Sequence, residues 1–184
     1  MQKSFLSFIL LCLFLSSCQK EQNPFEVGKH HVGLLTDSTL VQNLKTIYSK
    51  DSIVRTGNDN RFMGNTNHIE IFEKGGKPLL SLTSSHAPDS IAVINSVRIL
   101  DPRFVTKKNV SSLSTFKDIS NNYKISGIDN LINSVVVSVN EINAAFTIDK
   151  KELPSNLRFD MDLKIEAIHI PEHAKIKYFF INWN

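Results

Sequence analysis

Residues 135–148 read VVVSVNEINAAFTI, and the fold turns on this stretch. Residues 135–139 are mostly valine, residues 140–143 are a polar turn, and residues 144–148 bring the chain back. Two apolar, β-branched runs around a short turn read as an antiparallel hairpin. The same pattern stands upstream. Residues 68–73 (HIEIFE) alternate polar with apolar, Gly75-Gly76 supplies a turn, and residues 79–83 return. A further strand is expected to close each set: residues 91–100, ending at Asp101-Pro102, and residues 163–170, ending at Pro171. Proline has no amide hydrogen to give a ladder, so it marks a strand end.

A helical pattern precedes each set. Leu40, Leu44, Ile47 and Tyr48 recur at helical spacing, and so do Phe116, Ile119 and Tyr123. Each opens on a capping-box pattern, Thr39 with Gln42 and Thr115 with Asp118. Ser38-Thr39-Leu40, Tyr48 and Ile53 are thus answered by Ser114-Thr115-Phe116, Tyr123 and Ile128. Residues 30–103 and 104–184 therefore read as two tandem units of helix plus antiparallel sheet. Each has too few apolar residues for its own core. The expectation is one α+β domain whose units share a core, in one sheet or sheet against sheet, and 184 residues suit a single domain. Residues 32–35 and 104–110 are expected as flanking strands. Residues 175–183 (KIKYFFINW) are apolar at both parities and read as a strand covered on both faces. Residues 57–66 (GNDNRFMGNT) read as a long polar loop.

The amino terminus has a different grammar. Lys3 precedes an apolar run at residues 5–15 (FLSFILLCLFL), followed by Ser16 and Ser17. A permanent membrane span needs about 20 apolar residues, so this run reads as the core of a cleaved signal peptide. Leu15-Ser16-Ser17-Cys18 has the form of a lipobox, whose cysteine thiol takes the diacylglycerol. Residues 1–17 are expected to be removed and Cys18 to carry lipid, palmitate included. Residues 18–29 (CQKEQNPFEVGK) read as a tether. Gln19 stands where lipoproteins retained at the inner membrane commonly have aspartate, so the expected site is the outer membrane. The charged run Gln19-Lys20-Glu21 leaves both the periplasmic face and the cell surface open. The membrane is the expected partner, with an envelope protein as a further candidate.

The body is poor in chemical motifs. Both cysteines, Cys12 and Cys18, lie in the first eighteen residues, so the body has no disulfide, thiolate metal site or catalytic thiol. The net charge is +3, and no basic run is longer than a pair such as Lys107-Lys108, which argues against nucleic acid. His169-Ile170-Pro171-Glu172-His173 spells an inverted zinc-protease motif, but Pro171 and the strand-like residues before it do not suit the helix that motif needs. His30-His31 reads as a surface pair able to catch a stray metal. Asp160 and Asp162 lack a glycine-bounded calcium loop and read as a solvated strand start. There is no G-x-S-x-G elbow and no nucleotide-binding glycine loop. No catalytic residue, metal ligand or cofactor is assigned. The expected function is a binding or interaction module using a sheet face or a cleft between the units. Two alternatives stand beside it: an envelope hydrolase drawing on His68, His169 or His173 with nearby acids, and a proteinaceous inhibitor presenting residues 57–66.

The run Val32-Gly33-Leu34-Leu35-Thr36-Asp37-Ser38-Thr39 before the first helix resembles the opening of the enterobacterial sigma-E-regulated lipoproteins, envelope proteins of unknown function. The likeness continues through residues 68–73, residues 94–102 (INSVRILDP) and Ser114-Thr115-Phe116-Lys117-Asp118-Ile119, and ends at a strand finishing in Trp183. It covers most of residues 30–184 by pattern, and departs where Ser111 and Leu113 replace glycines usual in that family. The resemblance implies a lipid-anchored envelope protein and brings no catalytic residues. A looser likeness, to the duplicated units of beta-lactamase inhibitor proteins and small outer-membrane assembly lipoproteins, is one of fold.

Overall fold

The computed structural model describes residues 23–56, 68–85 and 90–183. The expected signal peptide, Cys18, the first part of the tether and the loop at 57–66 lie outside the described residues.

Four short strands come from the flanks of the body: β1 (Glu26–Val27), β2 (His31–Val32), β3 (Leu35–Thr36) and β8 (Val105–Thr106) form a small sheet in the order β3-β2-β1-β8. Helix α1 (Leu44–Ile47), led by a 3-10 turn at Val41–Asn43, precedes β4 (Ser52–Thr56), β5 (His68–Phe72), β6 (Pro78–Ser84) and β7 (Ile94–Ile99). Helix α2 (Phe116–Asn122) precedes β9 (Gly127–Asn130), β10 (Ser134–Val139), β11 (Ala144–Asp149) and β12 (Ile176–Asn182). These eight strands form one sheet in the order β4-β5-β6-β7-β12-β11-β10-β9, antiparallel throughout. Each half thus supplies a helix and a four-strand meander. The meanders meet along the β7–β12 ladder, so a β-ladder fills the seam on the sheet where a cleft was one expectation.

The register explains the core. Ile53, Ile71, Leu80, Ile99, Phe179, Phe146, Val137 and Ile128 are successive cross-strand partners, one from every strand. Cross-strand partners share a face, so one apolar row runs the width of the sheet. Phe146 and Phe179 stack at its centre, ring centroids 4.6 Å apart. Val41 and Leu44 from the first half and Phe116 and Ile119 from the second join the same buried cluster. Burying each such side chain contributes roughly 1.5–3 kcal/mol.

Several expectations need correction. Residues 163–170 do not form a strand: they contain a 3-10 turn, Ala167–His169, closed by Glu166 and His169. Only Ile165 and Ile170 there are buried, while Ile168 is 87% exposed, a spacing no strand produces. The fourth strand of the second meander is β12. That strand is fully covered on one face only; Phe179 and Ile181 are buried, and Tyr178 and Phe180 on the other face are half-exposed. Residues 32–35 are a tight hairpin corner. Gly33 there has φ +56°, and a Cβ would stand 2.3 Å from the Pro24 carbonyl oxygen, so only glycine fits. Of residues 104–110 only Val105–Thr106 is strand. The described part of the tether is ordered: Val27 is buried and Phe25 packs edge-on against Phe104, centroids 5.1 Å apart. The Thr115–Asp118 capping box is present, but no side chain caps the first helical segment. There the Thr39 hydroxyl accepts from the Thr36 amide at 2.8 Å, and the Gln42 amide donates to the Ser90 carbonyl.

Candidate functional site

The β10–β11 turn is held from both sides. The Asn140 amide donates to the Ser126 hydroxyl at 2.9 Å, and the Asn143 carbonyl accepts from the Asn182 amide at 2.9 Å. Asn143 has φ +52°, a conformation asparagine tolerates better than most residues. Beside this turn, the Trp183 indole N–H donates to the Lys29 carbonyl at 2.9 Å and so fixes the chain leading into β2 against the end of the sheet. The β2–β3 corner then places Asp37 beside His30, with Nδ1 and Oδ2 2.6 Å apart. An open cavity of about 340 Å³ results, lined by His30, Asp37, Ser138, Asn140, Asn143 and Asn182 over Ala145 and Trp183.

Its polar groups are open to solvent. Asn182 Oδ1 accepts from the Ser96 hydroxyl at 2.8 Å. Among the described residues, the Ser138 hydroxyl and the side-chain amides of Asn140 and Asn143 have no protein partner. His30 and Asp37 are both solvent-accessible and partner one another. Ser138 lines the same cavity, yet its hydroxyl makes no hydrogen bond to the His30 ring. The arrangement offers donors and acceptors and no aligned nucleophile.

The fold keeps the other candidates apart. His31 turns to Glu26 at 3.2 Å while its neighbour His30 turns to Asp37, so the two rings serve different carboxylates. His68 is exposed on β5, in the cross-strand row that leads through Thr83 and Ser96 to Asn182. His169 Nδ1 accepts from the Glu166 amide, and Glu172 pairs with Lys117 at 2.8 Å, which dissolves the inverted zinc motif. Asp160 Oδ1 accepts from the amides of Asp162 and Leu163 and shapes a turn. No cluster of three metal-ligating side chains occurs among the described residues. Residues 57–66, the loop on which the inhibitor alternative depends, lie outside the described residues.

A second recess, about 530 Å³, lies between α1 and β4 and is floored by Val41, Leu44 and Ile53. The most strongly held charge is elsewhere again. Asp101 has a fully buried side chain and accepts from Arg103 and from Lys77 at 2.9 Å. Burial alone would push its carboxyl up; the donated hydrogen bonds from Arg103 and Lys77 outweigh that and hold it at about 2. This group ties the β5–β6 turn to the end of β7 and is remote from the cavity.

The architecture recurs among solved structures. The uncharacterized protein yfeY from Escherichia coli has this fold. The two align with a TM-score of 0.53 at 14% sequence identity, over 85% of this chain and 99% of that one. At that identity the likeness is one of fold, and it agrees in source with an enterobacterial family of unknown function. No protein-family model and no curated protein matches the chain.

Sequence reasoning found His30 but not its site. Asp37 sits seven residues away across the Gly33 corner, and Asn140 and Asn143 carried only a turn signal. Convergence of these groups depends on the β10–β11 register and on the Trp183–Lys29 bond, which join parts of the chain far apart in sequence.

Proposed function

We propose that this chain is a lipid-anchored lipoprotein of the cell envelope whose body is a non-catalytic binding module. The observation that carries the anchor is Leu15-Ser16-Ser17-Cys18 directly after an apolar run too short to span a bilayer. Each buried methylene of an acyl chain contributes about 0.8 kcal/mol, so two or three chains on Cys18 hold a body of this size on a membrane. Gln19 favours the outer membrane, on either face. What supports binding is the cavity beside the β10–β11 turn, where unpaired amides and a hydroxyl face solvent without an aligned nucleophile. We also read the body as two tandem helix-plus-sheet units sharing a core. The matched order of helix and four strands on either side of the seam supports that reading.

A hydrolytic reading keeps one supporting observation, the 2.6 Å contact of His30 with Asp37 in a cavity that also holds Ser138. It requires Ser138 to reach the His30 ring.

Metabolic labelling with palmitate tests the anchor. The wild-type chain is expected to take up label and to pellet with membranes, and Cys18→Ser to do neither. Label in the substituted chain would place the lipid on another residue and remove the basis of the proposal.

A further inference from the structure

We infer that the cavity beside the β10–β11 turn binds a neutral polyhydroxylated ligand, a saccharide. This deepens the binding-module reading and rests on it.

The chemistry of the lining selects the ligand. A side-chain amide carries an acceptor oxygen and two donor hydrogens in one plane, and a hydroxyl both donates and accepts. Asn140, Asn143 and Ser138 present three such groups without protein partners. Neighbouring hydroxyls on a sugar ring each donate and accept, and so can answer all three at once. A purely apolar ligand would strip water from these groups and return nothing. Charge narrows the class further. No lysine or arginine lines the cavity, and the carboxylate there, Asp37, is already held by His30. A phosphate or carboxylate would find no lysine or arginine to pair with and would face Asp37 directly. The volume, about 340 Å³, lies at the small end of the range of ligand pockets, about 300–1,000 Å³. That suits one or two rings of a glycan rather than a long polymer segment. Half-buried Ala145 on the floor offers a methyl to the C–H face of a ring.

The protein contains its own reporter. Trp183 is the single tryptophan of the chain and forms part of the cavity wall. The test is a fluorescence titration of the full chain, purified in a detergent without a sugar headgroup. The probes are maltotriose and triacetylchitotriose, with trialanine and citrate as peptide and anion comparisons. A saturable change in Trp183 emission is expected with at least one saccharide and with neither comparison ligand. Affinity should fall roughly fivefold or more in Asn140→Ala and in Asn143→Gly. Glycine at 143 keeps the positive φ while removing the amide, and matching far-UV circular dichroism shows that the fold persists. Saccharide binding that is unchanged in both variants would overturn the inference. So would saturation by trialanine or citrate alone, although the binding-module reading would then survive. Silence with all four probes would overturn both. Palmitate labelling of the same preparation reports the anchor separately.

Discussion

The first and second helical segments bury side chains at the same spacing yet begin differently. Val41, Leu44 and Tyr48 are buried in the first, Phe116, Ile119 and Tyr123 in the second, and each pair is 75 residues apart. The two segments also make matching backbone contacts, although their partners stand 82 rather than 75 residues apart. The Val41 amide donates to the Ala92 carbonyl at 2.9 Å and the Phe116 amide to the Ala174 carbonyl at 2.8 Å, while Leu40 bridges Val93 and Thr115 bridges Lys175. Thr115 therefore corresponds to Leu40, not to Thr39 as the serine-threonine match at 38–39 and 114–115 implies. A capping box fits a threonine and cannot be made by a leucine, so the second segment has one and the first does not. The buried stripe and the bridge to a neighbouring segment position both helical segments; the cap is an addition. The tyrosines differ too. The Tyr48 hydroxyl is buried without a partner, and burial, with Asp51 nearby, pushes its ionisation well above the ordinary range. Tyr123 instead lies beneath the Lys108 ammonium, 4.4 Å from the ring centre.

The comparison breaks most severely if the halves are not one unit. Phe179 partners Ile99 across the seam and stacks on Phe146. Phe179→Ala is expected to cost about 4 kcal/mol and to lower hydrogen-exchange protection equally at Ile71 and Val137. Protection retained at Ile71 would mean that the first meander stands alone. A smaller effect separates the halves by charge. Asp101, at the end of the first meander, is the one buried carboxylate among the described residues. Its carboxyl is held at about 2, below the ordinary 3.8. Its contribution of roughly 2 kcal/mol is therefore complete above about pH 4 and disappears as pH falls through 2. Urea midpoints between pH 5 and pH 2 should fall less in Asp101→Asn than in wild type, and parallel falls would contradict this. The smallest effect concerns the helix starts. Asp118→Ala should cost about 1 kcal/mol, whereas Gln42→Ala should stay within about 0.5 kcal/mol. Equal costs in thermal unfolding would mean that the first helical segment is capped after all.

The central strands were legible because burial of one face writes alternation into the sequence, as in residues 68–73 and 135–148. The edge strands β4 and β9 were not. Ser52–Thr56 has an apolar pair at its centre, Ile53-Val54, and Gly127–Asn130 is only four residues long. Residues 163–170 misled because isoleucines at 165, 168 and 170 imitate a strand, while the chain there packs only its ends. The last strand misled in another way. Tyr178 and Phe180 lie on the sheet's outer face, where Arg98 sits 4.3 Å from the Tyr178 ring centre. An aromatic residue beneath a cation reads in sequence as a buried one. The cavity was the least legible part, since its groups come from segments more than 100 residues apart and acquire meaning only through the register.

The proposal that this body is fastened to a membrane through one thiol has its most direct test in the intact mass of the protein recovered from its native cells. The expected result is an amino-terminal Cys18 bearing diacylglycerol and an amide-linked acyl chain, with residues 1–17 absent. A soluble chain with an unmodified terminus upstream of Cys18 would contradict it.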